Sequence, residues 1–417
     1  MSKLYISGRK RLSGDVTVQG AKNSALPVLA ASVLAEGESV IYRCPLLSDT
    51  EASLRILRWL GCRAQRSGGT VLVNNGGLKR FDIPDGLMRQ TRGSIVFLGA
   101  VLAAAGRVRL SLPGGCEIGL RPIDMHLEAL RRLGAVIKER HGRLDCRAPH
   151  GLKGADITLP FPSVGATENV MLAACTANGT TTVTNAAKEP EICDLADYLN
   201  RCGARIKGAG GSVIVIDGVR RLHGCAHALI PDRITAATLI SCAAVTGSEI
   251  TLKGVIHSHL TAVVSAFEDA GCVFSAHENE LTVIAPERLS SMKIVRTMPY
   301  PGFPTDAQAP LLAAASVADG TTVFIENIFE NRYRHTAGLA RMGADIKTEG
   351  KLAVVEGVPR LYGAPVEATD LRGAAALVTA ALCAEGKTEL EGVKYLERGY
   401  EGFEQVLSSL GADIAKV

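Results

Sequence analysis

The stretch Asn23-Ser-Ala-Leu-Pro-Val-Leu-Ala-Ala-Ser-Val-Leu-Ala-Glu-Gly37 is an alanine-rich apolar run that opens on a polar residue and closes on a glycine. It reads as a buried helix, Ala25–Leu34, with Gly37 in a left-handed turn past its C-terminus. The pattern returns. Glycines close similar runs at positions 37, 106, 179, 247, 320 and 386, separated by 69, 73, 68, 73 and 66 residues. A second series, in Leu-Gly-Ala or similar settings, places glycines at 61, 134, 203, 271, 343 and 411, with spacings of 73, 69, 68, 72 and 68. Two independent ladders with nearly one period define six repeats of roughly 70 residues.

Within a repeat the apolar helix leads to a β-branched run, such as Glu38–Tyr42, Thr180–Val183 or Thr321–Phe324. A second, amphipathic helix follows (Thr50–Leu60, Asp124–Leu133, Ile192–Cys202), then short strands such as Val213–Asp217. The repeat therefore reads βαβαββ, and the fold class α/β. A chain of 417 residues is long for one core, so three repeats are expected to form one domain and three the other. The boundary is placed near Ile230-Pro231-Asp232.

Composition narrows the function. Apolar residues at 47% and charged residues at 21% describe a globular protein with a large interior. A net charge of +4, 4% aromatic residues and a single tryptophan argue against nucleic acid as partner. The eleven cysteines are odd in number, scattered and without a CxxC pair, as in a reducing cytoplasm. With no signal-peptide pattern at the start and no 18-residue apolar run, the expectation is a cytoplasmic protein not inserted in a membrane.

The repeats also point to the chemistry. Fourteen residues before each glycine of the first series lie Asn23, Arg92, Gly165, Arg233, Asp306 and Arg372, at the starts of the buried helices. Ser163, Thr167, Asp232 and Asp370 nearby are explained by helix capping. Lys22, Arg92, Arg233 and Arg372 are not, because cations at a helix N-terminus oppose its dipole. Cations beside free backbone N–H groups make an anion site. If the two domains face each other, the six helix starts line one cleft for a polyanionic substrate.

The loop Ser111-Leu-Pro-Gly-Gly-Cys-Glu-Ile-Gly-Leu-Arg-Pro-Ile-Asp124 carries Cys116 five residues before Arg121. Positive charge favours thiolate, so Cys116 is the candidate reactive thiol, while the other ten cysteines read as packing residues. His257-Ser-His259 reads as a loop and not as metal ligands, and Gly208–Gly211 as a hairpin turn.

Taken together, Gly20-Ala-Lys-Asn-Ser24, Leu112-Pro-Gly-Gly-Cys116, Gly119-Leu-Arg-Pro-Ile-Asp124, Ser163-Val-Gly-Ala-Thr167, Phe303-Pro-Thr-Asp306, Phe329-Glu-Asn-Arg332, Ala368-Thr-Asp-Leu-Arg372 and Arg398-Gly-Tyr400 resemble the enolpyruvyl transferases that act on UDP-N-acetylglucosamine. The resemblance runs through the whole chain. It implies two inside-out α/β barrels, one formed by residues 22–230 and the other by 1–21 with 231–417. It implies the first committed step of peptidoglycan synthesis, with phosphoenolpyruvate and UDP-N-acetylglucosamine as substrates and no cofactor or metal. Cys116 would be the general acid, the site of a covalent phosphoenolpyruvate adduct and the target of fosfomycin. Asp306 would be the base at the sugar hydroxyl, and Lys22, Arg121 and Arg398 would clamp phosphoenolpyruvate. Asn23, Arg92, Arg121, Pro122, Ile123, Asp124, Met125, Ser163, Val164, Gly165 and Ile328 would contact the nucleotide sugar. Arg332, Asp370 and Arg372 would complete the site.

Three departures stand out. Phe161-Pro162 replaces a lysine of some members, Thr235 a more usual glutamate, and Leu396-Glu397 an Ile-Asp pair. The rival readings are transfer to shikimate 3-phosphate, disfavoured by the Cys116 loop, and a non-catalytic nucleotide-sugar-binding paralogue. The sequence leaves the oligomeric state open.

Overall fold

Parallel strands need a crossover connection, and here a helix supplies it each time. Strand Asp156–Thr158 runs parallel to Thr180–Thr184, with helix Val164–Ala174 between them in the chain. Helix Pro190–Arg201 follows, and the antiparallel strands Arg205–Lys207 and Val213–Asp217 complete the sheet. Residues 208–211 connect these two strands as the expected hairpin turn. The computed structural model describes residues 2–112 and 123–417, and this sheet order occurs six times among them. The α/β class and the βαβαββ repeat are borne out.

Among the described residues, one compact unit takes in 20–112 and 123–230, and the other 2–19 and 231–417. Each has its own apolar core. In the second unit, helices Arg233–Val245, Thr305–Ala315 and Leu371–Cys383 pack against one another and are buried on nearly every side. Lys22–Ala31, Phe97–Ala105 and Val164–Ala174 occupy the corresponding places in the first. Sheets lie outside these helices, which is why the helices are apolar all round instead of striped. None of the described helices is long and apolar enough to cross a membrane.

Chain ends complete the sheets. Strand Leu4–Ser7 lies between Lys387–Glu391 and Asp413–Lys416, antiparallel to both, and supplies the strand that the sixth repeat lacks. Ser13–Thr17 pairs parallel with Glu249–Lys253 in the fourth repeat. In the other unit, Leu222–His223 and Ala226–Ala228 pair parallel with Ala35–Tyr42 of the first repeat.

One expectation needs correction. The first helix is Lys22–Ala31, not Ala25–Leu34, and Gly37 lies inside strand Ala35–Tyr42. Of the first glycine series, Gly106 directly follows its helix, whereas Val164–Ala174 and Thr305–Ala315 end five residues before Gly179 and Gly320. All six have positive φ, from 58° to 101°, so these glycines turn the chain into the next strand more often than they cap a helix. The second series is closer to the reading: Gly61, at φ 110°, directly caps helix Ser48–Leu60.

Candidate active site

Helix caps account for much of the polarity at the helix starts. Asp370 Oδ1 accepts from the backbone N–H groups of Arg372 and Gly373, both at 3.0 Å. Asp232 does the same for Ile234 and Thr235 at 2.9 and 3.0 Å, and Ser163 Oγ accepts from Ala166 at 3.4 Å. The cations are organised differently in the two units.

In the second unit the centre is Asp306, in the first turn of helix Thr305–Ala315. Arg332 Nη2 donates to its Oδ1 at 2.6 Å, and Arg372 Nη2 donates to its Oδ2 at 3.0 Å. Both arginine side chains are 3% exposed, and the Asp306 carboxylate is 27% exposed. One carboxylate thus faces two buried guanidinium groups. Burial alone would lower the Arg372 pKa, but Asp306 and Tyr400 outweigh it and hold Arg372 above its usual value. Arg332 Nε and Arg372 Nε and Nη1 have no hydrogen-bond partner among the described residues. Buried donors left in this state cost free energy, which a ligand with acceptor oxygens relieves.

Neighbouring residues fix this group. Thr305 Oγ1 donates to Glu326 Oε2 at 2.9 Å, while Glu326 Oε1 accepts from the backbone of Ile328 and Phe329 at 2.7 and 2.9 Å. The turn carrying Ile328 is therefore tied to the helix that carries Asp306. Arg372 also lies over the Tyr400 ring, 5.4 Å from its centroid, and half-buried Arg398 is two residues before Tyr400. Buried His335 packs beside Asp370 and Gly373. Burial pushes its pKa down to about 4, against the pull of Asp370 and with the help of Arg332. His335 is neutral at pH 7, so it adds no third cation.

In the first unit, Lys22 opens helix Lys22–Ala31, and its Nζ lies 2.8 Å from Asp49 Oδ2. Those side chains are 10% and 2% exposed, so a ligand reaching Lys22 shares it with a buried acid. Asn23 beside it is half-buried, as are Arg92, Ile123, Met125, Ser163, Val164 and Gly165, while Asp124 is exposed. Arg92 opens the short helix Arg92–Val96 and Asp124 opens Asp124–Arg132. Behind them lies His126, whose ring nitrogen Nδ1 is 2.9 Å from Asn169 Nδ2. A Cβ on Gly165 would come 3.0 Å from His126 Cε1, so glycine permits this close approach. Burial, then Arg92, lowers the His126 pKa to about 4 against the pull of Asp124. With Asn169 Nδ2 donating to Nδ1, the proton sits on Nε2. Nearby in the chain, Glu168 is buried, and burial with Glu191 and Glu189 raises its pKa well above the usual carboxylate value.

Cys116, Arg121 and Pro122 lie outside the described residues. Burial pushes the thiols of Cys62 up to about 11 and of Cys146, Cys175, Cys242 and Cys272 to about 12, which fits packing residues. Of the three departures, Phe161 is exposed, Thr235 is a buried residue in the first turn of its helix, and Glu397 is exposed and bonded to Lys416 at 2.5 Å. Sequence reading passes over Asp49, His126, Asn169, Glu326 and His335. Asn169, an amide inside an apolar helix, carried a readable signal; the others did not.

The EPSP synthase (3-phosphoshikimate 1-carboxyvinyltransferase) family model matches residues 6–407. The chain belongs to this family. Within it, the UDP-N-acetylglucosamine 1-carboxyvinyltransferase 2 of Caldanaerobacter subterraneus subsp. tengcongensis is 47% identical over 417 residues, covering 100% of both chains. The UDP-N-acetylglucosamine 1-carboxyvinyltransferase of Trichlorobacter lovleyi is 46% identical, covering 100% of this chain and 99% of its own. Among solved structures, the enolpyruvyl transferase NikO from Streptomyces tendae superposes with a TM-score of 0.91 at 27% identity, covering 100% and 99% of the two chains. An EPSP synthase from Acinetobacter baumannii shares the fold at TM-score 0.75 and 22% identity, with both chains covered in full.

Proposed function

We propose that this chain transfers the enolpyruvyl group of phosphoenolpyruvate to the 3′-hydroxyl of UDP-N-acetylglucosamine and releases phosphate. The observation that carries this reading is the full-length identity of 45–48% with enzymes bearing that name. The local geometry supports it. Both substrates are anionic; the helix starts carry the cations Lys22, Arg92 and Arg372, and buried guanidinium donors of Arg332 and Arg372 await acceptors.

The chemistry follows from the substrates. The sugar hydroxyl attacks C2 of phosphoenolpyruvate while C3 gains a proton, giving a tetrahedral ketal. C3 then gives up a proton, the C2–O bond to phosphate breaks, and the enol double bond reforms. Asp306 is proposed to accept the hydroxyl proton. Its oxygens accept guanidinium N–H groups from Arg332 and Arg372, which hold the carboxylate ionised and oriented as a base. Cys116 is proposed as the acid at C3, with Lys22, Arg121 and Arg398 holding carboxylate and phosphate. Asn23, Arg92, Pro122, Ile123, Asp124, Met125, Ser163, Val164, Gly165 and Ile328 are proposed to hold the nucleotide sugar, with His126 behind Gly165. Arg332, Asp370 and Arg372 position Asp306.

Phosphate release measured with phosphoenolpyruvate and either UDP-N-acetylglucosamine or shikimate 3-phosphate tests the proposal. Release with the nucleotide sugar alone is expected. Release with the shikimate ester alone overturns the acceptor, and binding of the nucleotide sugar without release with either acceptor points to a non-catalytic paralogue. Intact mass provides a second check: fosfomycin is expected to add to the wild type and not to Cys116→Asp.

A further inference from the structure

Six copies of one sheet give the molecule its own controls, and one copy departs from the rest. In the second repeat the strands Asp82–Ile83, Arg107–Ser111, Val136–Arg140 and Arg143–Arg147 form a four-stranded sheet. Alternation sends Val108, Leu110, Leu144 and Cys146 into the core. The outward positions hold six cations, Arg107, Arg109, Lys138, Arg140, Arg143 and Arg147, against two acids, Asp82 and Asp145. Asp145 is already shared by Arg109 and Arg147, at 3.3 and 3.1 Å. Asp85, near Arg143, is paired with Arg89 at 2.8 Å.

Register makes the excess costly. Arg107 stands directly opposite Arg147, and Arg140 directly opposite Arg143. Like charges in that arrangement repel. The other five sheets set no two cations opposite one another, their like-charge pairs being acidic, Asp345 with Glu356 and Glu367 with Glu391. In the third repeat Arg205 and Lys207 are balanced by Asp217 and Asp156. In the fourth, Lys253 stands among Asp15, Glu249 and Glu280, and in the fifth Arg296 and Lys347 are outnumbered by Asp345, Glu349 and Glu356. In the first and sixth, acids likewise outnumber bases on the outward positions. Net positive charge on this scale is peculiar to one sheet and plays no part in the chemistry above.

We infer that this face docks on an anionic lipid surface. Its cations spread over three adjacent strands, a field of about 15 Å by 15 Å at ordinary strand spacings. Charge arranged in two dimensions matches a plane of headgroup phosphates better than a single file of phosphodiesters. Phe81, the ring beside this face, is capped by the Arg107 guanidinium at 3.6 Å and offers no platform for stacking a base. Attachment is electrostatic and peripheral, so salt releases it.

The test is co-sedimentation of the full-length protein with phosphatidylcholine vesicles, with and without about 30 mol % phosphatidylglycerol. Binding to the anionic vesicles alone is expected at about 50 mM salt, with release at about 500 mM. Replacing Arg107, Arg140 and Arg143 by Gln is expected to weaken vesicle binding about a hundredfold. Arg205→Gln with Lys207→Gln, two charges removed from the neighbouring sheet, is expected to change it less than about threefold, and phosphate release is expected to be unchanged in both variants. Equal weakening by the two sets, binding that ignores the triple variant, or no binding at low salt overturns the proposal. So does capture of single-stranded RNA at lower concentration than anionic vesicles.

Discussion

Asp306 is held by two guanidinium groups that water barely reaches, so its charge serves structure whatever its proposed part in the chemistry. Replacing it by Asn removes the carboxylate that both buried cations contact. Asp306→Asn is expected to cost about 3 kcal/mol of stability, as for breaking a buried ion pair. It is also expected to lower kcat about 100-fold or more, the ordinary contribution of a general base. Denaturant melts and initial rates of phosphate release read the two effects separately; an active, fully stable variant would remove Asp306 from both roles. The buried histidines act on stability through pH. In the folded chain both His335 and His126 have pKa values lowered to about 4, whereas the unfolded chain protonates them near 6.5. Their contribution is present above about pH 6.5 and is lost as pH falls towards 4, about 3 kcal/mol for each ring. Melts across pH 4–8 are expected to show this loss, and His126→Gln to flatten part of it. A wild-type profile that is flat over this range would contradict both burials. At this scale the sequence was partly legible: Asp306, Arg332 and Arg372 could be named by motif, but not their joining. Arg332 lies 26 residues from Asp306 within the fifth repeat and Arg372 lies 66 away in the sixth, and only tertiary packing joins them.

Helices show where sequence reading succeeds and where it stops. Their starts were found closely, because caps and first-turn cations are local chemistry: Arg92, Arg233, Asp306 and Arg372 fall on the first or second residue of their helices. Helix ends were misplaced, because a glycine of positive φ serves a helix cap and a turn into a strand equally well. Contacts between buried helices were invisible in the sequence. Gly99, in helix Phe97–Ala105, shows why they matter. Its backbone N–H donates to Asn169 Oδ1 at 2.7 Å, and a Cβ at Gly99 would lie 2.4 Å from the Asn169 carbonyl oxygen. Backbone cannot yield as a flexible side chain can. Gly99→Ala is therefore expected to force the two helices apart and cost about 2 kcal/mol, despite alanine's better helix propensity. Urea midpoints measure this, and a variant as stable as wild type would mean that the helices slide freely.

Across the whole molecule the repeat ladder foretold the number of modules but not how the chain ends serve them. In the sheet of the sixth repeat, Leu4–Ser7 lies between Lys387–Glu391 and Asp413–Lys416. Leu4 and Ile6 on this strand are fully buried in the core of the unit formed by 2–19 and 231–417. Removing two such side chains forfeits about 3–6 kcal/mol of burial, and the lost ladder hydrogen bonds add to that. This sum approaches the whole stability of an ordinary domain, about 5–15 kcal/mol. The core of residues 20–112 and 123–230 contains neither side chain, so the damage is expected to stay in one unit. Deleting residues 2–8 should abolish amide-exchange protection along helices Arg233–Val245, Thr305–Ala315 and Leu371–Cys383 while sparing Lys22–Ala31 and Val164–Ala174. Ile6→Ala is the graded form, costing about 2–4 kcal/mol with the same regional pattern. Protection lost equally in both units would show that the two cores fold as one, and protection retained in both would show that the sixth repeat closes without its borrowed strand.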